Sequence, residues 1–291
     1  MAKPTLILIG GPTTAGKSAH ALEMAARENG TIINADAMQV YVGLPILTAQ
    51  PEARDKAQTP HELYEVFDAA ERSSAGKWLA LAKEAIQRSL AAGRAPILVG
   101  GTGMYFKALL EGLADIPPIP DNVRAKAREL YEQLGPEAFR AELAKLDPDS
   151  AARLKPNDRQ RLIRAYEVAA HTGKTIGAWQ KSGNSAAAGT QFSVERRLVL
   201  PPREELYTRC DRRFLQMIER GVIEEVRALV ARKLDPDLPA MKILGVREIA
   251  AFLRGEMTKD DAIAKARQAT RNYAKRQMTW FRNQWKKGKT G

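Results

Sequence analysis

Apolar residues gather along this chain in short runs separated by stretches of helical period. Four runs have β-rich composition: residues 5–9, 31–34, 96–99 and 197–200. The first three are nearly continuous apolar segments, the pattern of parallel strands buried on both faces. Segments with helical spacing lie between them. One covers 17–28 and stops before Gly30; another covers 76–92, mixes apolar and charged positions, and stops at Gly93. This β-α-β alternation predicts a doubly wound α/β fold with a parallel sheet flanked by helices.

The rhythm breaks at Asp115-Ile116-Pro117-Pro118-Ile119-Pro120. Helix starts follow without a convincing strand, at Asp121-Asn122, Gly135-Pro136, Asp147-Pro148 and Asn157-Asp158. Pro136 and Pro148 suit first-turn positions, and the residue before each can cap. A polar, small-residue stretch, Ser182-Gly183-Asn184-Ser185-Ala186-Ala187-Ala188-Gly189, leads back to the fourth β-rich run. Residues 120–185 are therefore expected to form an all-helical insertion in an α/β core made of 1–119 and 186–291. After Pro201-Pro202 the pattern is helical to the end, and Thr258-Lys259-Asp260-Asp261 reads as a capping box opening a long final helix.

Directly after the first apolar run stands Gly11-Pro12-Thr13-Thr14-Ala15-Gly16-Lys17-Ser18, a match to G-x-x-x-x-G-K-[ST] at every constrained position. With a strand before it and a helix after it, this is a P-loop. Backbone N–H groups at the helix start face phosphate oxygens, Lys17 neutralises their charge, and the Ser18 hydroxyl would hold Mg²⁺. The motif alone does not say to what the phosphate belongs.

Composition adds one constraint. The 291 residues are 44% hydrophobic and 27% charged, ordinary for a globular protein, but 46 Lys+Arg against 34 Asp+Glu give a net charge of +12. Such an excess favours a polyanionic partner. Cys210 is the single cysteine, which excludes an intrachain disulfide and suits a reducing, cytoplasmic compartment. His20, His61 and His171 are too scattered for a zinc site. A strand within five residues of the start leaves no room for a signal peptide, and no apolar run approaches the roughly 18–20 residues needed to span a bilayer. A monomer without membrane contact is expected.

Ligands of open parallel sheets bind beyond the carboxyl ends of the strands. There the second run leads into Ala35-Asp36-Ala37-Met38-Gln39 and the third into Gly100-Gly101-Thr102-Gly103. Asp36 suits a general base, a helix cap or a Mg²⁺ ligand. The glycine-rich segment brings backbone and a hydroxyl to the same crevice, or simply turns the chain into a helix over 104–110. On a helix spanning 204–221, Arg209 and Arg213 share one face beside Arg212; they either face an anion or pair with Glu205 and Glu219. The segment 265–291 carries nine basic residues among interleaved aromatics and no acidic one, which favours a sugar-phosphate contact surface.

Five segments occur in a telling order: the P-loop; Asn34-Ala35-Asp36-Ala37-Met38-Gln39-Val40-Tyr41; Val99-Gly100-Gly101-Thr102-Gly103-Met104-Tyr105; Asn157-Asp158-Arg159-Gln160-Arg161-Leu162-Ile163-Arg164; and Lys275-Arg276-Gln277-Met278-Thr279-Trp280-Phe281-Arg282. Together they closely resemble the bacterial tRNA isopentenyltransferase (dimethylallyltransferase) family, over essentially the whole chain. The resemblance implies transfer of a dimethylallyl group from dimethylallyl diphosphate to the exocyclic N6 amine of the adenine 3′ to the anticodon, in tRNAs that read U-initial codons. It implies that Gly11, Pro12, Thr13, Thr14, Ala15, Gly16, Lys17 and Ser18 hold the diphosphate and its Mg²⁺. By the same resemblance Asp36 is the base, Thr102 lines the reaction channel and Arg213 grips the diphosphate. Contacts to the anticodon stem-loop fall on Asp36, Ala37, Met38, Gln39, Thr102, Arg124, Gln160, Arg161, Leu162, Ile163, Arg164, Lys275, Arg276 and Arg282. One departure is visible: the family commonly has Ser where this chain has Ala37. The competing classes are a P-loop small-molecule kinase, an isoprenyl transferase acting on free adenine nucleotides, and a non-enzymatic RNA-binding protein.

Overall fold

A computed structural model describes residues 3–181, 184–185 and 191–285 of the chain. The elements run β1 (Thr5–Gly10), α1 (Lys17–Glu28), β2 (Gly30–Asn34), α2 (Pro45–Thr48), α3 (Ala53–Gln58), β3 (His61–Glu62), α4 (Ala75–Ala91), β4 (Ala95–Gly100) and α5 (Gly103–Glu111). They continue with β5 (Leu113–Ala114), α6 (Asp121–Ala144), α7 (Pro148–Arg153), α8 (Arg159–Thr172), α9 (Ile176–Lys181) and β6 (Asn184–Ser185). The last group is β7 (Ser193–Leu198), α10 (Arg203–Glu219), α11 (Val222–Ala231), α12 (Val246–Leu253) and α13 (Lys259–Gln284).

The main sheet has the order β3-β2-β4-β1-β7 and every pairing in it is parallel. From β1 the chain crosses to one side of the sheet, and from β4 it returns to the other. The loops after β1 and β4 therefore diverge and leave a crevice between the two carboxyl ends, where this topology places ligands. The apolar runs became the three central strands, whose residues from Leu6, Gly30 and Pro96 onward are buried. Two edge strands differ from expectation. The fourth run, expected over 197–200, begins four residues earlier at Ser193 and includes Glu195, Arg196 and Arg197. β3 has only two residues. Edge strands are held by backbone pairing on one side, so an apolar pattern is not required of them.

The chain divides into two compact units, Met1–Leu110 with Ala188–Gly291, and Glu111–Ala187. The insertion thus starts nearer 111 than 120 and is not all-helical: Leu113 and Ala114 pair antiparallel with Ser185 and Asn184. Much of the 182–189 stretch lies outside the described residues. Within the insertion, Asp147 caps α7 by accepting the Ser150 N–H, with Pro148 in the first turn. Gly135, at φ 74°, kinks α6 just before Pro136. Tyr131, Phe139, Leu143, Leu162 and Ile163 form this unit's core.

The final helix is what completes the first unit. Thr258 caps it, accepting the Asp261 N–H, and its inward face is Ala262, Ala266, Ala274, Gln277, Met278 and Phe281. Phe281 is fully buried and packs against Phe106 of α5 and Trp285. The expectation that its basic residues lack a carboxylate partner fails for two of them. Arg271 and Arg267 both bind Asp211 of α10, at 2.5 and 3.0 Å, and burial around Asp211 is outweighed by these bonds so that its carboxyl is held below its usual range. The basic residues at 286, 287 and 289 lie outside the described residues. Replacing Phe281 by Ala should cost about 3–5 kcal/mol of stability. Denaturant unfolding measures it; a change within experimental error would show that α13 does not contribute to the core.

Candidate active site

Gly16 sits at the N-cap of α1 with φ 97°, a left-handed conformation that favours glycine, and no side chain caps the helix. The first N–H groups of α1 therefore stay turned to the crevice, as an anion site requires. Thr14 also has positive φ, 60°. Its hydroxyl reaches the Leu206 carbonyl at 3.4 Å and the Cys210 sulfur at 3.3 Å, so α10 holds the loop in this costly shape. Burial pushes the Cys210 thiol up, which makes it a neutral neighbour rather than a nucleophile.

A cavity of about 440 Å³ opens here, lined on one side by Thr13, Thr14, Ala15, Gly16, Lys17 and Ser18. Asp36, Met38 and Gln39 line it from the end of β2, and Arg209, Arg212 and Arg213 from α10. Its apolar part is Leu47, Phe214, Met217 and Leu244, with Tyr64 and Tyr273 adding rings. Gly11 and Pro12, expected among the diphosphate contacts, are buried and do not line the cavity; the Pro12 carbonyl accepts a hydrogen bond from the Lys17 ammonium at 2.7 Å.

The charges in this cavity are unbalanced. Desolvation lowers the Lys17 pKa to about 8; Asp36 opposes the shift and Arg213 adds to it. Desolvation likewise lowers the Arg213 pKa, again opposed by Asp36. Two cations thus share a poorly hydrated space with one carboxylate, and an incoming polyanion relieves both. The structure also separates the two candidate arginines. Arg209 is ion-paired with Glu205 and points to the Ala15 carbonyl, whereas Arg213 makes no ion pair among the described residues. Arg212 is exposed.

Asp36 is held by backbone and by buried Asn34. Asn34 accepts the Asp36 N–H at 2.8 Å and donates to the carbonyls of Asp36 and Leu63, while the Trp78 indole donates to the Asn34 carbonyl. One carboxylate oxygen, Oδ1, accepts the Met38 N–H at 3.0 Å, leaving Oδ2 for chemistry. Thr102 does not line the cavity but braces it. Its Oγ1 accepts the Ala37 N–H at 2.9 Å and its N–H donates to the Ala35 carbonyl at 3.2 Å. Burial, with Asp36 nearby, pushes the Tyr273 phenol well up, and the neighbouring Thr102 hydroxyl opposes the shift. Gln39 spends its amide N–H groups on the Thr48 and Ala49 carbonyls.

The one hydroxyl that the P-loop motif offers a cation is that of Ser18. Ser18 is exposed at the first turn of α1, and no cluster of three or more His, Cys, Asp or Glu among the described residues could hold a metal ion.

Other expected contacts divide. Gln160 and Arg161 are exposed on the first turn of α8, with Arg161 3.3 Å from Asp158. Arg164 is half-buried beside Glu167, and Arg124 donates to the Ile119 carbonyl. Leu162 and Ile163 are corrected: they face the insertion's own core and cannot offer side chains to RNA. Lys275, Arg276 and Arg282 are exposed, Arg276 lying over the Tyr273 ring. Sequence reasoning missed Asn34, Tyr64, Tyr273 and Gln277. Asn34 and Gln277 stand within the segments that carry the family resemblance, but no role was expected of either.

The family model described as IPP transferase matches residues 39–284, and that described as isopentenyl transferase matches residues 4–64. The chain belongs to the IPP transferase family. The tRNA dimethylallyltransferase of Rhodospirillum centenum is 54% identical over 281 residues, 96% of this chain and 88% of that one. Among solved structures, the full-length tRNA isopentenylpyrophosphate transferase of Bacillus halodurans is 34% identical at a TM-score of 0.68, covering 97% of this chain and 88% of that one. A eukaryotic dimethylallyltransferase acting on tRNA is 29% identical at a TM-score of 0.80, with 96% and 70% covered.

In this IPP transferase family member, the lowered Lys17 pKa has a direct consequence. The protonated form attracts an anion, so affinity for an alkyl diphosphate should fall as pH rises past about 8, approaching about tenfold per pH unit. Calorimetric titration across this range measures it. A Lys17→Arg variant, charged throughout, should flatten the profile; an unchanged slope would assign the titration to another group.

Proposed function

We propose that this protein transfers a dimethylallyl group from dimethylallyl diphosphate to the N6 amine of the adenine 3′ to the anticodon in tRNAs reading U-initial codons, releasing diphosphate. The observation that carries the reading is the pairing of an anion cradle with an apolar wall and a free carboxylate oxygen in one cavity. Lys17, Arg213 and the α1 N–H groups suit the diphosphate. Leu47, Phe214, Met217 and Leu244 suit a five-carbon chain, and Asp36 suits the amine. The relatives' names support tRNA as acceptor.

An aromatic amine is a weak nucleophile, so the departure of diphosphate sets the barrier. As the allylic carbon–oxygen bond breaks, its electron pair leaves on the diphosphate while a carbon–nitrogen bond forms. Lys17, Arg213 and the P-loop N–H groups stabilise that growing negative charge, each such donor being worth about 2.7–4 kcal/mol. Mg²⁺ held by Ser18 and the diphosphate would supply further charge neutralisation. Asp36 Oδ2 takes the amine proton, a step worth about 10²–10⁴ in rate. The target base must leave its stack to enter, which favours an unpaired loop. Gln160, Arg161, Arg164, Lys275, Arg276 and Arg282 would grip the anticodon stem-loop through its backbone. No described helix is long and apolar enough to cross a membrane, and we place this activity in the cytoplasm.

The test incubates unmodified tRNA with dimethylallyl diphosphate and Mg²⁺ and weighs the anticodon loop. A gain of one prenyl group is expected. Unchanged mass with consumption of ATP instead would replace the assignment with a kinase. Lys17→Ala should reduce turnover by at least about a hundredfold, while tRNA binding, read by filter retention, persists. Normal turnover in that variant contradicts the leaving-group scheme.

A further inference from the structure

Gln277 is buried at 5% exposure, in a helix face otherwise made of Ala, Met and Phe. A buried primary amide on such a face costs stability unless both of its ends are bonded, and a methionine would fill the space without that demand. Both ends are bonded, each to a different loop of the crevice. Its Oε1 accepts the Thr13 N–H at 2.8 Å, and its Nε2 donates to the Gly101 carbonyl at 2.9 Å. A side chain at Gly101 would begin 2.2 Å from the Gln277 Nε2 and 3.2 Å from the Asp36 Oδ2. The amide and the carboxylate oxygen assigned to the amine proton therefore border the same backbone position.

We propose that Gln277 is a positioning residue for the transfer reaction: its amide sets the separation of the P-loop from the segment that holds Asp36. This inference rests on the prenyl-transfer reading given above. Thr13 belongs to the loop that holds the leaving group. Gly101 precedes Thr102, which is bonded to both Ala35 and Ala37 on either side of Asp36. A shift at Gly101 is thus passed to the base, while a shift at Thr13 moves the diphosphate. One rigid, planar group between them keeps the reacting carbon in line between the leaving oxygen and the amine.

The amide is the chemistry this place demands. Glutamate accepts from Thr13 but has no proton for the Gly101 carbonyl, and it would set a second carboxylate beside Asp36. Lysine donates but cannot accept, and methionine donates nothing and accepts only weakly.

The experiment compares the wild type with Gln277→Met and Gln277→Glu in steady-state transfer to tRNA. Rates are referred to the concentration of sites that bind inorganic diphosphate, so that unfolded molecules do not count. For Gln277→Met, kcat per site should fall about a hundredfold, while the KM values for donor and tRNA stay within about threefold. Gln277→Glu, which keeps the bond to Thr13 and is the second variant if the first folds poorly, should show the same loss in kcat. A merely structural role lowers the melting temperature and leaves kcat per site unchanged. A kcat per site within about twofold of wild type in the folded variants, or a loss carried by KM alone, overturns the proposal. A wild type that fails to modify tRNA removes the functional reading itself; an active wild type with unimpaired variants removes only the role of Gln277.

Discussion

Two like charges held close together out of water are the constraint on which this structure turns. Burial loosens the hold of both Lys17 and Arg213 on their protons, Arg213 adds to that effect at Lys17, and Asp36 is the opposite charge that opposes it at both. Such an arrangement raises the energy of the folded protein and lowers that of any complex with a polyanion. It also has to be enforced, because flexible side chains would otherwise turn to solvent. The enforcement comes from the C-terminal helices. Thr14 is held to α10 through Leu206 and Cys210, and α10 is fastened to α13 by the Asp211 bonds to Arg271 and Arg267. Thr13 is held to α13 directly. The phosphate loop is therefore local in sequence, but its working shape is not.

That non-locality explains the order of elements. The sheet supplies loop ends at a place where two crossovers diverge, which would be an adequate anion site by itself. What it lacks is a cation facing the loop from across the crevice. α10 supplies one at Arg213, on the edge of the stripe Leu206, Cys210, Phe214 and Met217 that packs inward. Had the arginine stood where Arg209 does, Glu205 one turn earlier would have neutralised it. The same helix offers both arrangements, and only the second position leaves a guanidinium in want of an anion.

The features legible from sequence were those whose cause is local. The P-loop, the three central strands and the long capped helix all follow from short-range pattern, and each stands within a residue or two of its expected place. Edge strands β3 and β7 were poorly marked because their pairing is a backbone matter. The basic tail was over-read for a different reason: the carboxylate that satisfies Arg267 and Arg271 lies on another helix, far away in sequence. Leu162 and Ile163 show the opposite error. They stand among polar residues of a recognisable segment, yet helical period alone turns both toward Tyr131 and Phe139. Proximity to a motif says nothing about the direction a side chain takes.

The substitution at position 37 can be judged on the same physical ground. The family commonly carries a hydroxyl there, and its loss could have loosened the segment that presents Asp36. The structure holds that segment by other means. The N–H of Ala37, which every residue except proline possesses, donates to Thr102, and Asn34 binds Asp36 from the strand end. Met38 fixes one carboxylate oxygen through its own N–H. None of these bonds involves the side chain at 37, so the orientation of Asp36 is independent of what that side chain is. The absence of a hydroxyl at that position therefore leaves the base where it stands.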